Sequence, residues 1–298
     1  MNQLVQVLHH KLLGEGLSSR IRNGVLLFAL VGFLVHLLLW SLFHFQILDV
    51  DLQSSSLFKS PLSSLYTPFS ILLAYEVYEL IKAMPESFSV AVGKQFEVVT
   101  LLVVRDIFKN LSTIDLAQEI QLSSELGIVV TECFTFLFLF YTALKFHQYG
   151  SNTKMPTVQA ADIESFVRGK KAIAVVLFIV YVAVALMSFF GWLNSVSQGD
   201  GGVSREIFFF DFFTFLILAD IFVLLFSYKY SHDFIYLARN TGFVLSTIIL
   251  RVAISSEGYP ALILFLLSAV LGLMILWVTR QFQKNSATAV PLQKPKND

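Results

Sequence analysis

Long runs of apolar residues, punctuated by short polar stretches, set the pattern of this chain. Five are long enough to cross about 30 Å of hydrocarbon as helices, at 24–47, 126–146, 172–195, 207–228 and 259–279. Three more, at 64–82, 95–111 and 241–256, are shorter or carry charge. Ahead of them Leu4, Leu8 and Leu12 recur at helical spacing beside His9, His10 and Lys11, the pattern of a helix lying on a cytoplasmic interface.

The charged residues between the runs decide whether the three weaker ones count. Lys and Arg collect in cytoplasmic loops of membrane proteins. With eight spans, sixteen of the 21 Lys and Arg fall on one side, three on the other, and Arg105 and Arg251 lie inside spans. Removing any weak span would swap the downstream loops and erase the contrast. The expectation is therefore an all-α polytopic membrane protein with eight transmembrane helices and both termini cytoplasmic, the plasma (inner) membrane being the expected site. The first span is read as retained, because no small-residue cleavage site follows it closely.

Composition agrees. Of 298 residues, 56% are hydrophobic and 14% charged, with 30 Phe, which leaves too little charge to coat a water-soluble surface. Equal numbers of basic and acidic residues, 21 each, provide no field for nucleic acid. The single Cys133 excludes an internal disulfide framework and a cysteine-based zinc site.

The chain also resembles itself. LSSRIR at 17–22 parallels IESFVR at 163–168, ILLAYE at 71–76 parallels LILADI at 216–221, and the runs ending at Arg105 and Arg251 correspond, all at a nearly constant offset. Two parallel repeats of four spans are expected, with a working site at their interface. The expected organisation is a cytoplasmic interfacial helix over 1–23, repeat 1 over 24–146, a cytoplasmic linker over 147–170, repeat 2 over 171–282 and a disordered cytoplasmic tail over 283–298. The stretch 112–125 reads as a short interfacial helix.

Ionisable residues inside the spans supply the candidate chemistry, since a charge at mid-bilayer costs about 2.5–3.5 kcal/mol on insertion scales and is kept where it faces protein or water. Glu76, Glu79, Glu132 and Asp220 form the candidate ion or proton path, with Arg105 and Arg251 as charge partners. Asp211 and Glu97 sit near span ends, and Asp106 with Lys109 reads as a local pair on successive turns. Depths reckoned from span centres place Glu76 and Arg105 roughly 7 Å apart along the membrane normal, and Asp220 and Arg251 equally so; both pairs are expected, the second needing a one-residue slip in the repeat alignment. Glu76 and Glu79 share a face beside Tyr75 and Tyr78. Glu132 has no cation assigned to it and is a candidate proton shuttle.

Other signals are weaker. His36 and His44 lie on one side of the first span without a carboxylate or histidine at ligand spacing, so no metal or other cofactor is expected. His147 and His232 sit at helix ends; Trp40, Trp192, Tyr141, Tyr149, Tyr228 and Tyr230 read as interface belts. No phosphate-binding, dinucleotide-binding, zinc-protease or hydrolase-elbow motif occurs, and no enzyme is expected. The leading expectation is transport of a small ion or solute, as channel or carrier, with proton coupling. The alternative is a non-transporting scaffold or partner subunit, oligomeric or bound to a cytoplasmic protein through 147–170 and the N-terminal helix.

Overall fold

A computed structural model describes residues 2–45, 61–113, 124–150, 160–197, 206–230, 233–256 and 258–288. These residues form α1 (Asn2–Leu13), α2 (Glu15–His44), a single 3-10 turn (Pro61–Leu65), α3 (Tyr66–Ala83), α4 (Phe88–Thr113), α5 (Ser124–Gly150), α6 (Ala160–Ser197), α7 (Glu206–Tyr230), α8 (Phe234–Ile254) and α9 (Gly258–Thr288). Every described regular element is helical. Five stretches are long and apolar enough to cross a membrane: Val5–His44, Leu126–Tyr149, Glu164–Met187, Phe234–Ile254 and Gly258–Gln283.

The bundle is apolar outside and polar within. Leu27, Phe28 and Leu38 of α2, Phe134 of α5, Val176 of α6 and Ile263 of α9 are all at least 60% exposed. Gln95, Arg105, Glu132, Lys170, Asn240 and Arg251 are all buried. Water would reject such a surface, whereas hydrocarbon accepts it and leaves the polar groups to satisfy one another inside. The protein is therefore built as an integral membrane protein.

Helices follow one another as antiparallel neighbours, with α2–α3, α3–α4 and α4–α5 packed in the first half and α6–α7, α7–α8 and α8–α9 in the second. The halves meet where α4 packs on α8 and α5 on α9. In addition α3 packs on α6, and α7 shares no comparable interface with α2 among the described residues. The turn of residues 84–87 and the starts of α4 and α8 lie at one end, termed the basic end; the α8–α9 turn and the last residues of α4 lie at the far end.

The α8–α9 contact shows what holds such helices together without a hydrophobic drive. Gly242 and Ser246 on α8, and Ser268 and Gly272 on α9, are spaced four apart, the small-residue pattern that lets backbones approach. A Cβ on Gly272 would stand 3.1 Å from Ser246 Oγ, and one on Gly242 would stand 2.6 Å from Ile275 Cδ1. The two serines exchange bonds: Ser246 Oγ donates to the Ser268 carbonyl at 2.9 Å, and Ser268 Oγ to the Ser246 carbonyl at 2.7 Å.

Several boundaries differ from the sequence expectation. The expected interfacial helix over 1–23 is divided at Gly14: Asn2–Leu13 form α1, residues from Glu15 onward belong to α2, and α1 packs on α6 with Tyr78 donating to the Leu12 carbonyl at 3.0 Å. Much of the expected linker is helical, because α5 continues to Gly150 and α6 starts at Ala160. Helix α9 runs to Thr288, into the expected tail. In each case polar residues extend a helix beyond its apolar part, which hydropathy alone does not register. Residues 114–123 of the expected interfacial helix lie outside the described residues.

Candidate functional site

Three groups of ionisable side chains lie along the helices that join the halves. The first is at the basic end of α3 and α4. Tyr75 OH donates to Glu79 Oε1 at 2.9 Å and Ser18 Oγ donates to the same oxygen at 2.6 Å. Lys82 reaches Glu79 at 3.7 Å, Glu15 at 3.0 Å and Ser18 Oγ at 3.1 Å. Lys94 bridges Glu76 at 2.9 Å and Glu97 at 2.8 Å, and Glu97 continues to the His147 ring.

The expected Glu76–Arg105 pair does not form. Because α3 ends at Ala83 and α4 starts at Phe88, residues equidistant from the turn face each other: Glu76 stands across from Gln95, and Arg105 across from Tyr66. Arg105 is thus about 15 Å too far along α4, at 1.5 Å per residue. Reckoning from span centres fails here because α4 begins at Phe88, well before the span expected over 95–111. Lys94, which the sequence places in a loop, is the true partner of Glu76. The i,i+3 spacings of Lys82 to Glu79 and Lys94 to Glu97 are the signals that could have found this group.

The second group is central. Arg251 Nη2 donates to Asp220 Oδ2 at 2.6 Å, and Gln95 Nε2 donates to the same oxygen at 3.1 Å, so one carboxylate ties α4, α7 and α8 together across the halves. The expected Asp220–Arg251 pair does form, helped by a geometric bias: helical side chains lean toward their own N-terminus, which directs Arg251 back along α8 toward Asp220. The site is mostly buried and not saturated. Arg251 Nε and Nη1, Gln95 Oε1 and Asn240 Nδ2 are buried with no hydrogen-bond partner, and the Arg251 side chain is 2% exposed.

The third group lines a cavity of about 460 Å³ at the far end, between α4, α5, α8 and α9. Arg105 binds Asp106 Oδ1 through Nη2 at 3.0 Å and Nε at 3.2 Å. Asn110 Nδ2 donates to Glu132 Oε1 at 2.7 Å, while Glu132 Oε2 is buried with no hydrogen-bond partner. The partner of Glu132 is thus a neutral amide, from a residue that the sequence reading does not single out.

No family model, curated protein or solved structure matches the chain.

A second cavity, about 180 Å³, opens at the basic end between the α3–α4 turn, α6, α8 and α9. Lys170, 3% exposed, lines it, donates to the Glu86 carbonyl, and lies 5.2 Å from the Phe88 ring centre and 5.5 Å from that of Phe166. The sequence places Lys170 in a solvated linker; the early start of α6 makes it an interior cation. The two cavities open at opposite ends of α4, α8 and α9. Between them stand Gln95, Phe96, Phe146, Phe243, Thr247 and Arg251, all buried.

His36 and His44 serve packing. His36 Nδ1 bonds Thr67 Oγ1 at 2.7 Å, and His44 stacks on Trp40 at 5.0 Å between ring centres. Among the described residues no three His, Cys, Asp or Glu side chains converge as a metal-ligand set.

Proposed function

We propose that the chain is an integral membrane transport protein for a small ion or solute, coupled to protons, whose route follows the α4–α8–α9 junction between the two halves. The observation that carries this reading is the central charge cluster. Gln95 and Arg251, both bound to Asp220, stand between two cavities that open at opposite ends of the same three helices. A buried ion pair adds little net stability over an apolar replacement, so its retention between two cavities favours a working role, that of a closed gate.

In this reading α2 to α9 are eight transmembrane spans, both termini are cytoplasmic, and the basic end faces the cytoplasm of the plasma (inner) membrane. The lysines at that end, among them Lys82, Lys94 and Lys170, support the orientation. Duplication is supported by the same neighbour order in both halves and by the third and fourth helices of one half packing on those of the other. The α3–α6 contact then marks where the halves have diverged. Glu76, Glu79 and Glu97, bridged by Lys82 and Lys94, form the proton-handling group at the basic end.

The test is proton movement in proteoliposomes carrying an internal pH dye, under an imposed proton gradient, with a panel of small solutes including amines. A Ser255→Cys variant in a Cys133→Ser background places a thiol in the far-end cavity. The reading requires solute-dependent proton movement that a bulky thiol reagent blocks in this variant alone. Absence of movement across the panel, or movement indifferent to the reagent, contradicts it.

A further inference from the structure

Two buried carboxylate oxygens among the described residues lack a hydrogen bond, Glu76 Oε2, which Lys94 reaches at 2.9 Å, and Glu132 Oε2 in the far-end cavity. Glu132 is 7% exposed and lines the cavity; its Oε1 accepts from Asn110 at 2.7 Å, and its Oε2 is buried with no partner. Leaving a carboxylate oxygen buried and unmatched is costly, so a donor is called for. The other charges that line the space are Arg105, Asp106 and Lys109. Arg105 and Asp106 neutralise each other through two hydrogen bonds, and Lys109 is exposed at the outer part of α4. The remaining wall is mixed: Leu102, Val103, Ile128, Ala261, Leu262 and Phe265 supply an apolar wall, and Ser255 and Ser256 add hydroxyls. At about 460 Å³ it has the size of an organic-ligand pocket, for which roughly 300–1,000 Å³ is usual.

From this geometry we infer that the far-end cavity binds a small amphiphilic amine, its ammonium donating to Glu132 Oε2 and its hydrocarbon body lying against the apolar wall. A bare metal cation fits less well, because among the described residues no three His, Cys, Asp or Glu side chains converge there as a ligand set. An ammonium needs only one or two acceptors and gains from the apolar remainder, and the Phe265 ring adds a face that attracts cations. As the loading site of a transport route, the cavity rests on the reading proposed above; as a binding site it stands on its own geometry.

The experiment is equilibrium binding of hexylammonium to the purified full-length protein in lipid nanodiscs, with hexanol as the uncharged control. Hexylammonium is expected to bind saturably and hexanol far more weakly. Glu132→Gln, which keeps the Asn110 contact in shape and removes the charge, is expected to weaken hexylammonium by roughly 30-fold or more, the usual consequence of removing one partner of a buried charged contact. Ala261→Phe, which fills the cavity from the opposite wall and leaves Glu132 intact, is expected to abolish binding, so each variant tests the site independently of the other. Equal binding of hexanol, or wild-type affinity in a folded Glu132→Gln or Ala261→Phe protein, overturns the assignment. Binding without flux in proteoliposomes would refute transport and leave the site standing; flux without amine binding would do the reverse.

Discussion

Arg251 on α8 donates to Asp220 on α7 at 2.6 Å, and through the Gln95 amide, 3.1 Å from the same carboxylate oxygen, the contact extends to α4 in the other half. A single carboxylate therefore couples three helices and both halves. Its energetics follow from burial: the pair gains little over apolar groups, but removing one member strands the other in a dry interior at a cost of about 3–5 kcal/mol.

Asp220→Asn and Arg251→Gln should each lower the unfolding midpoint in detergent clearly, and the double variant should lie above the sum of the two losses. A fluorescence melt of the four proteins measures this. Purely additive losses would show that the contact carries no coupling.

Glu76 should couple to Lys94 and not to Arg105. In double-mutant cycles built from Glu76→Gln with Lys94→Met, and Glu76→Gln with Arg105→Gln, the first is expected to show an interaction of about 1 kcal/mol and the second none within error. A sizeable Glu76–Arg105 term would contradict the hairpin register.

The reciprocal serine bonds between α8 and α9 predict that Ser246→Ala or Ser268→Ala costs about 1 kcal/mol, the scale of interhelical hydrogen bonds in membrane bundles. Gly272→Leu should cost more, since its side chain would enter space held by Ser246 and Phe146. Reversible unfolding in mixed micelles separates the three; a harmless Gly272→Leu would contradict the close approach.

Gly14 joins α1 to α2 in extended backbone at φ −78° and ψ 159°, and a Cβ there would stand 2.1 Å from the His10 carbonyl oxygen. Gly14→Ala should therefore displace α1 from α6 and expose Leu13, now 2% exposed, giving faster proteolysis within residues 2–13 and little change in the rest of the bundle. An unchanged proteolytic pattern would show that the turn adapts.

These residues also mark how far the sequence can be read. The apolar runs locate the long helices, because hydrocarbon must be covered over a fixed thickness. Asp220 and Arg251 are legible since both sit well inside apolar runs and helical lean brings them together. The Glu76 partner is not, because helix α4 starts at Phe88, ahead of the span expected over 95–111, and its register is set by a four-residue turn, which span centres ignore. Lys170 is hidden in the same way by the polar first turns of α6. The cavity beside Glu132 is beyond reading altogether, since Asn110 and Glu132 meet only through the packing of α4 on α5.

The central claim is that the Asp220–Arg251 contact closes a route between the two cavities. Its most direct measurement is solute-driven proton flux through proteoliposomes of wild type, Asp220→Asn and the Asp220→Asn/Arg251→Gln double variant, with each protein's monodispersity checked beforehand. Flux in the wild type that changes at least tenfold in both folded variants is the predicted result. Unaltered flux in both variants would contradict the claim.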